Sequence, residues 1–379
     1  MNCEPEGAWG ERGNWERLKR KAYERRIPLF GGMELTNRCN LQCVHCYINT
    51  PLQRNAAAAE MTTVRIHRLV DEVADAGCLF YTLTGGEPLL HPDFEEIYRH
   101  LKRRGIEIYL FTNGTLVEDA HVRLFQELPP FAIQFSLYGA TRKIYETVTG
   151  VPGSFDRCMA GLHRLIHARM PVTLALPVLR SSHYEIEAMR RLARELGIPA
   201  KTNIDIHSTA DGDPAPLRLR LTAEEAVALE SKDPSTVTQW RMRAATPLDA
   251  YRNPGLILEC NAGFFSFHVL ADGTVRPCTK IVCESFCGNL GEMSFSEIWT
   301  GQLRRVTEVV KPKNSSCFGC PVRKYCSYCG ATCISANGRG MYAPIDSFRC
   351  EVARLKAQQT ETLGEKNGNR TREIGIPEA

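Results

Sequence analysis

The stretch that decides the fold is Cys39-Asn40-Leu41-Gln42-Cys43-Val44-His45-Cys46, which places three cysteines at CxxxCxxC spacing. The next cysteine along the chain is Cys78. A structural zinc site takes four protein ligands, whereas three thiolates on a cubane [4Fe–4S] cluster leave one iron open to a small molecule. The spacing therefore predicts a cluster with an open coordination position and not a closed metal site.

Strand and helix patterns alternate around this stretch and beyond it. A short apolar run at residues 30–36 leads into the cysteines, and five more strands are predicted, at residues 79–84, 107–111, 132–137, 172–179 and 200–206. Amphipathic segments with helical periodicity separate the strands. Strands that alternate with helices predict an α/β fold with a parallel sheet.

Special residues follow three of the predicted strands. Gly85-Gly86-Glu87-Pro88 follows the second strand, Asn113 lies in the turn after the third, and Ser136 is at the end of the fourth. Ligands of α/β folds bind at the carboxyl ends of the strands, and glycine lets a backbone approach a ligand closely. Each motif alone could be an ordinary turn, but their common position beside the cysteines favours a binding site.

Ten of the 16 cysteines lie in a second region, between residues 260 and 350. They are Cys260, Cys278, Cys283, Cys287, Cys317, Cys320, Cys326, Cys329, Cys333 and Cys350. A chain of this size without a secretory signal uses cysteines as metal or cluster ligands and not as a disulfide frame, which indicates a reducing cytoplasm. The Cys-x-x-Cys pairs also suit a zinc ribbon, which is the alternative for this region.

The composition limits the partners. A net charge of +4 does not require a nucleic-acid partner, and the basic stretch at residues 17–26 is interrupted by Glu24, as on a solvated helix face. The longest apolar runs, at residues 78–83 and 264–271, are too short to cross a bilayer. We therefore expect a cytoplasmic protein with neither a membrane nor a nucleic acid as its partner.

The cysteine motif, the Gly-Gly-Glu-Pro motif and Ser136 together resemble those of the radical SAM superfamily. The resemblance implies a partial (β/α)6 barrel in which Cys39, Cys43 and Cys46 hold a [4Fe–4S] cluster that binds S-adenosyl-L-methionine (SAM). It implies SAM contacts by His45, Gly85, Gly86, Glu87, Pro88, Asn113, Ser136 and Arg142. It also implies reductive cleavage of SAM to a 5′-deoxyadenosyl radical, with the electron supplied by an external donor such as flavodoxin or ferredoxin.

Residues 273–278 and 317–326 resemble the SPASM domain, which carries auxiliary [4Fe–4S] clusters. The resemblance implies one auxiliary cluster on Cys317, Cys320, Cys326 and Cys350. A second would take Cys260, Cys278 and one or two of Cys283, Cys287, Cys329 and Cys333, and the sequence leaves that choice open.

The resemblance and the pattern together divide the chain into five parts. We expect a helical extension at residues 1–29, the barrel at 30–206, a connector with a helix at 207–257 and the SPASM domain at 258–352. The polar residues 353–379 are predicted to be a disordered tail. No room is left before residue 30 for a fused peptide-recognition domain, so we expect a separate protein to recognise the leader of a peptide substrate.

Relatives with this layout imply a maturase that oxidises an unactivated C–H position of a ribosomally made peptide, for example to form a cross-link. The alternatives are an enzyme of haem-type or quinone-cofactor biosynthesis and a sulfatase-activating, formylglycine-forming enzyme. A non-catalytic iron–sulfur electron carrier is an alternative of another class, and it leaves the Gly-Gly-Glu-Pro motif and Ser136 without a purpose.

Overall fold

The computed structural model describes residues 12–48, 60–209, 212–245, 255–311, 313, 315–317, 319–326, 329–334 and 347–373. Parts of the predicted extension (1–11), connector (210–211 and 246–254) and tail (374–379) lie outside the described residues. The chain divides into two compact units. The first unit contains Met1–Arg220 and Asn261–Glu308, and the second contains Leu221–Cys260 and Val309–Ala379.

The first unit is built on a nine-stranded sheet with the spatial order β6-β5-β4-β3-β2-β1-β7-β8-β9. The strands are β1 (Phe30–Glu34), β2 (Phe80–Thr84), β3 (Glu107–Thr112), β4 (Ala132–Ser136), β5 (Val172–Pro177), β6 (Ala200–Asn203), β7 (His268–Val269), β8 (Thr274–Arg276) and β9 (Gly288–Asn289). Strands β1 to β6 pair in parallel, and β7 adds to β1 in parallel. The predicted α/β class with a parallel sheet is confirmed.

Helices connect the parallel strands of the first unit. Helix α1 (Arg12–Arg25) precedes β1, and two short helices follow β9. The connecting helices are α2 (Thr63–Asp75), α3 (Phe94–Arg103), α4 (Asp119–Glu127), α5 (Arg142–Thr149), α6 (Ser154–His167) and α7 (Ile186–Glu195), and the last two are α10 (Phe295–Thr300) and α11 (Gln302–Val306). Each parallel pair needs such a crossover because its two strands run in the same direction.

The two faces of the parallel sheet differ in burial. On β4, Ile133 and Phe135 are fully buried, whereas Gln134 and Ser136 are only half-buried. Strand β5 shows the same alternation. Because successive side chains of a strand point to opposite faces, one face belongs to the apolar core and the other is more open and polar. Ser136 lies on the open face.

The second unit is a small helical cluster with the cysteine-rich loops. Its helices are α8 (Ala223–Glu230), α9 (Pro234–Ala245) and α12 (Ser347–Glu373). Val352 of α12 packs with Val227 of α8 and Trp240 of α9. Lys356 of α12 adds an ion pair of 2.6 Å with Glu230 and lies over the Trp240 ring.

Helix α12 covers part of the predicted tail. Residues 353–379 were expected to be a disordered tail, whereas the structure has a helix that continues to Glu373. The apolar residues Phe348, Val352 and Leu355 recur at helical spacing and face one cluster. The polar composition of the segment concealed this short stripe.

The division into units also differs from the predicted boundary at residue 258. Asn261–Glu308 belongs to the first unit, where β7, β8 and β9 extend the sheet beyond β1. Strand β7 has only two residues and pairs with β1 at a single register position, Met33 with Val269. So short a strand leaves little periodicity in the sequence. Within the described residues, every helix is too short or too polar to cross a lipid bilayer.

Candidate active site

The three cysteines of the CxxxCxxC motif lie on the loop that follows β1, hereafter the cysteine loop (residues 35–48). All three thiols are partly buried. The negative charge of one thiolate raises the pKa of its neighbours in the loop. In the described part of the chain, no three Cys, His, Asp or Glu side chains lie close enough together to hold a single metal ion. Thiolates of a cubane cluster bind different irons, so they do not need to converge on a single point.

The Gly-Gly-Glu-Pro motif holds the cysteine loop directly. The backbone N–H of Gly86 donates to the carbonyl of Thr36 at 2.8 Å, and that of Glu87 donates to the carbonyl of Arg38 at 2.9 Å. A Cβ atom would lie 2.5 Å from the Thr36 oxygen at Gly85 and 2.2 Å from the Arg38 oxygen at Gly86. The two glycines therefore permit a close approach to the chain's own backbone.

The Glu87 carboxylate braces the loops that follow β2 and β3. It is fully buried and accepts hydrogen bonds from Leu89 N at 3.2 Å, Thr112 Oγ1 at 2.8 Å and Asn113 N at 2.8 Å. Burial raises its pKa to about 7, and the three hydrogen bonds act in the opposite direction. The next residue, Pro88, opens a 3₁₀ turn. In this arrangement the Glu87 side chain binds neighbouring loops.

Asn113 connects the loop after β3 to the cysteine loop. Its Nδ2 donates to Asn40 Oδ1 at 3.0 Å and lies 4.0 Å from the sulfur of Cys39. Asn40 in turn donates to Thr115 Oγ1 at 2.7 Å. Burial raises the pKa of the Cys39 thiol to about 11, although the Leu41 N–H, 3.4 Å from the sulfur, favours the thiolate. Binding of iron must therefore release protons from the loop.

The C-terminal end of α5 holds the remaining side of the cysteine loop. The N–H of Gln42 donates to the carbonyl of Thr149 at 2.8 Å, and that of Val44 donates to Val148 at 3.0 Å. The last carbonyls of a helix lack partners within the helix. The cysteine loop supplies these partners, so hydrogen bonds from three separate elements hold this loop.

His45 and Tyr138 form an aromatic pair beside the cysteines, with ring centroids 5.1 Å apart. Burial lowers the pKa of His45 to about 4, so the ring is neutral at physiological pH. Its Nδ1 is buried and has no hydrogen-bond partner among the described residues. Buried polar atoms rarely stay unpaired, so this nitrogen fits a contact with a bound ligand, as expected of a residue beside SAM.

Tyr138 was missed in the sequence. Its hydroxyl lies near Ser136 and near the thiol of Cys43, and both groups influence the ionisation of this site. Burial raises the pKa of this hydroxyl well above its usual value, so the group keeps its proton. The available signal was the spacing, because residues two apart in an extended segment share a face. Ser136 and Tyr138 thus reach the same side as the cysteine loop.

Arg142 is not among the groups brought together around the cysteine loop. The hydroxyl of Thr141 caps α5, which makes Arg142 its first residue. The Arg142 side chain is 57% exposed and forms a two-pronged ion pair with Asp156, with Nη2 2.8 Å from Oδ1. This placement does not support the expected contact with SAM.

A buried carboxylate of β1 was also missed. Glu34 is 3% exposed, and its Oε1 lies 3.2 Å from Nε2 of His268 on β7. Its other oxygen, Oε2, is buried without a hydrogen-bond partner among the described residues. An acidic residue at the end of an apolar strand, directly before the cysteine loop, was the available signal.

The cysteines of the second region fall into both units. Cys278, Cys283 and Cys287 belong to the first unit, and Cys260, Cys317, Cys320, Cys326, Cys329, Cys333 and Cys350 to the second. Burial, together with the charges of Cys326, Cys350 and Cys333, raises the pKa of Cys317 to about 11. Cys326 is influenced in the same way by Cys350 and Cys320. Cys317, Cys320, Cys326 and Cys350 are thus neighbours, with Cys333 close to Cys317.

Comparison with known protein families decides the class. Residues 33–193 match the family model of the radical SAM superfamily. The chain contains a radical SAM domain. Residues 260–321 match the SPASM model, which describes an iron–sulfur cluster-binding domain. SAM and iron–sulfur clusters are the cofactors of these domains, and the number of clusters stays a prediction.

The radical SAM enzyme is similar to proteins of different activities. The AdoMet-dependent heme synthase of Methanosarcina barkeri is 29% identical over 330 residues, which cover 82% of this chain and 93% of the relative. The antilisterial bacteriocin subtilosin biosynthesis protein AlbA of Bacillus subtilis is 27% identical over 326 residues, covering 82% and 69%.

A solved structure agrees with the fold of this radical SAM enzyme. Streptococcus suis SuiB bound to its precursor peptide SuiA superimposes with a TM-score of 0.68 and 17% identity, over 92% of this chain and 84% of that one. At this level of identity the likeness shows the fold alone. The predicted radical SAM fold with a cysteine-rich C-terminal region is confirmed.

Proposed function

We propose that this radical SAM enzyme oxidises an unactivated C–H position of a ribosomally synthesised peptide. Cys39, Cys43 and Cys46 would hold the cluster that binds SAM, and SAM would supply the radical that abstracts hydrogen. His45 and Tyr138 would contact the bound nucleoside, while Asn113 and Glu87 keep the loops in place.

The main structural observation in favour of a peptide substrate is the carboxylate oxygen Oε2 of Glu34, which has no hydrogen-bond partner among the described residues. A peptide brings N–H groups that can donate to this buried acceptor, whereas the carboxylates of a haem precursor would be repelled by it. The similarity to AlbA, a bacteriocin biosynthesis protein, supports the same choice. A hydrogen bond from a substrate N–H group to Oε2 would remove the free-energy cost of leaving this buried oxygen unpaired.

The proposal includes the partners and auxiliary cofactors. One auxiliary [4Fe–4S] cluster would bind Cys317, Cys320, Cys326 and Cys350, and a second would bind further cysteines of the region. These clusters would accept the electron that the substrate loses. A flavodoxin or ferredoxin would reduce the SAM-binding cluster, a separate small protein would bind the peptide leader, and the reaction would take place in the cytoplasm.

The experiment that tests the proposed function is co-expression of the enzyme with each small peptide encoded beside its gene, followed by mass spectrometry. We expect one peptide to lose two hydrogens, or to change mass by another oxidative step, only with the intact cysteine loop. The Cys43→Ala variant is the matched control. No mass change in any peptide with the wild-type enzyme would contradict the proposal.

A second candidate is an enzyme of haem biosynthesis, because the similarity to the heme synthase extends over 93% of that protein. It predicts that the reconstituted enzyme with SAM and dithionite converts a porphyrin precursor to haem, which absorbance spectroscopy detects. Conversion of the porphyrin with no change in any peptide would select this candidate.

A further inference from the structure

Glu34 and His268 form a buried pair at the carboxyl end of β1. The pair joins two strands that are 234 positions apart in the sequence, and β1 and β7 run parallel side by side. Gly32 makes room for it, because a Cβ atom there would lie 2.9 Å from Nδ1 of His268. The imidazole ring therefore occupies the space that a larger side chain on β1 would fill.

The sheet register puts Glu34 on the open face. Glu34 is in register with Thr84 of β2, and the next strands continue the same face through Phe111 to Gln134. Ser136 lies two residues beyond Gln134 on that face. The residues of the opposite face, such as Met33, belong to the apolar core. Glu34 thus shares a surface with the groups placed around the cysteine loop.

The surroundings of Tyr47 place the pair near the cluster ligands. Burial raises the pKa of the Tyr47 hydroxyl, and the charges of Glu34, Cys46 and Cys278 raise it further, so these groups surround one side chain. Cys46 belongs to the cysteine loop, and Cys278 is a predicted ligand of an auxiliary cluster. Glu34 therefore lies near the same hydroxyl as one cysteine of the cysteine loop and one predicted ligand of an auxiliary cluster.

Only one of the two carboxylate oxygens of Glu34 has a hydrogen-bond partner among the described residues. Oε1 of Glu34 is oriented by His268, and Oε2 is buried with no partner among the described residues. A purely structural carboxylate in the same unit looks different: Glu185 accepts hydrogen bonds from Ala140 N at 2.7 Å, Thr141 N at 3.0 Å and Thr141 Oγ1 at 2.6 Å. Because an unpaired buried acceptor costs stability, its presence indicates a use.

We propose that Glu34 is the catalytic base that takes the proton released when the substrate radical becomes product, and that His268 is its positioning residue. This inference rests on the proposed function. After abstraction of hydrogen, a bond from the carbon radical to a substrate nitrogen breaks the N–H bond and releases one electron and one proton. The electron goes to an oxidised auxiliary iron–sulfur cluster, and the proton goes to Oε2 of Glu34.

The test compares Glu34→Gln with Glu185→Gln in the reconstituted enzyme, using the peptide whose mass the wild type changes. For Glu34→Gln we expect deuterium from labelled peptide still to be transferred to the 5′-deoxyadenosine that forms, because abstraction of hydrogen precedes the step that needs the base. Product per 5′-deoxyadenosine should fall by at least about 100-fold, the lower range for loss of a general base. An organic radical should accumulate in electron paramagnetic resonance (EPR) spectra.

The unfolding temperature separates a functional from a structural carboxylate without any substrate. Glu34→Gln removes a buried charge with an unpaired oxygen, so the unfolding temperature should stay equal or rise, while Glu185→Gln should lower it. His268→Gln keeps a donor for Glu34 and should retain product, whereas His268→Leu should lose it.

Two results would overturn the assignment. One is unchanged product per 5′-deoxyadenosine in Glu34→Gln, and the other is a fall in its unfolding temperature as large as that of Glu185→Gln. A wild-type enzyme that changes no peptide would contradict the proposed function instead, and the unfolding temperatures would then decide whether Glu34 is functional or structural.

Discussion

The two cysteine regions of the molecule are built in opposite ways. The front region places three cysteines within eight residues, on one loop that is held by the Gly-Gly-Glu-Pro motif, by Asn113 and by the end of α5. The rear region spreads ten cysteines over residues 260–350 and across two compact units. A site formed by one loop can be recognised from spacing, whereas a site assembled from distant segments depends on topology.

The largest expected effect is at the front region. Cys43→Ala should abolish formation of 5′-deoxyadenosine from SAM and dithionite, because two thiolates cannot hold the cluster in place. Liquid chromatography of the anaerobic reaction measures this directly. Cys78→Ala, which changes a buried thiol outside both regions, is the matched control and should retain activity. Equal loss in both variants would show a general folding defect.

A change in the rear region should have a different effect. Cys317→Ala should lower the iron content by about four atoms per chain, the content of one cubane cluster. SAM cleavage without peptide should persist, since the cysteine loop is intact. Iron analysis together with the 5′-deoxyadenosine assay checks both points. Zinc in place of iron in the wild type would favour the ribbon alternative.

Removal of the Asn113 side-chain amide, which faces the Cys39 sulfur, should reduce activity less than loss of a cysteine. Asn113→Ala removes the Nδ2 donor to Cys39 and the link to Asn40, and loss of such outer partners of a ligand costs about 10- to 100-fold in affinity or activity. We expect slower SAM cleavage and a lower midpoint potential in an EPR redox titration. Asn203→Ala, at the end of β6, is the control. An unchanged potential in Asn113→Ala would contradict this role.

The effect expected on stability alone is a pH dependence due to Glu87. Its pKa is about 7 in the folded chain against 4.5 for the free group, so the folded state binds more protons between these values. Stability should therefore decline as pH rises from about 4.5 to 7, by on the order of 3 kcal/mol, and level off above pH 7. Denaturant titrations of wild type and Glu87→Gln should differ in this slope. The same slope in both would exclude Glu87 as its cause.

The sequence was sufficient for the strands, the cysteine loop and the motifs that follow the strands, because each depends on residues close together in the chain. It was insufficient for contacts that depend on the register of distant segments. Glu34 meets His268 only because β7 adds to β1, and Arg142 turns outward because α5 begins at that residue. The packing of α12 depends on apolar residues of α8 and α9.

The role of the glycines shows a further limit. Gly85 and Gly86 were expected to admit a ligand, and this role stays a prediction. Their contacts show that they also admit the backbone of Thr36 and Arg38. Glycine in a motif indicates a close approach, but the sequence does not tell what approaches. The contrast between the front and rear regions has the same cause, since spacing alone does not identify the partner.

The measurement that tests the central claim most directly is the EPR spectrum of the reduced Cys317→Ala enzyme before and after addition of SAM labelled at the methionine amino nitrogen. We predict that SAM changes the signal of the cluster on the cysteine loop and that the label couples to it, because one iron lacks a protein ligand. A spectrum that SAM leaves unchanged would contradict the account.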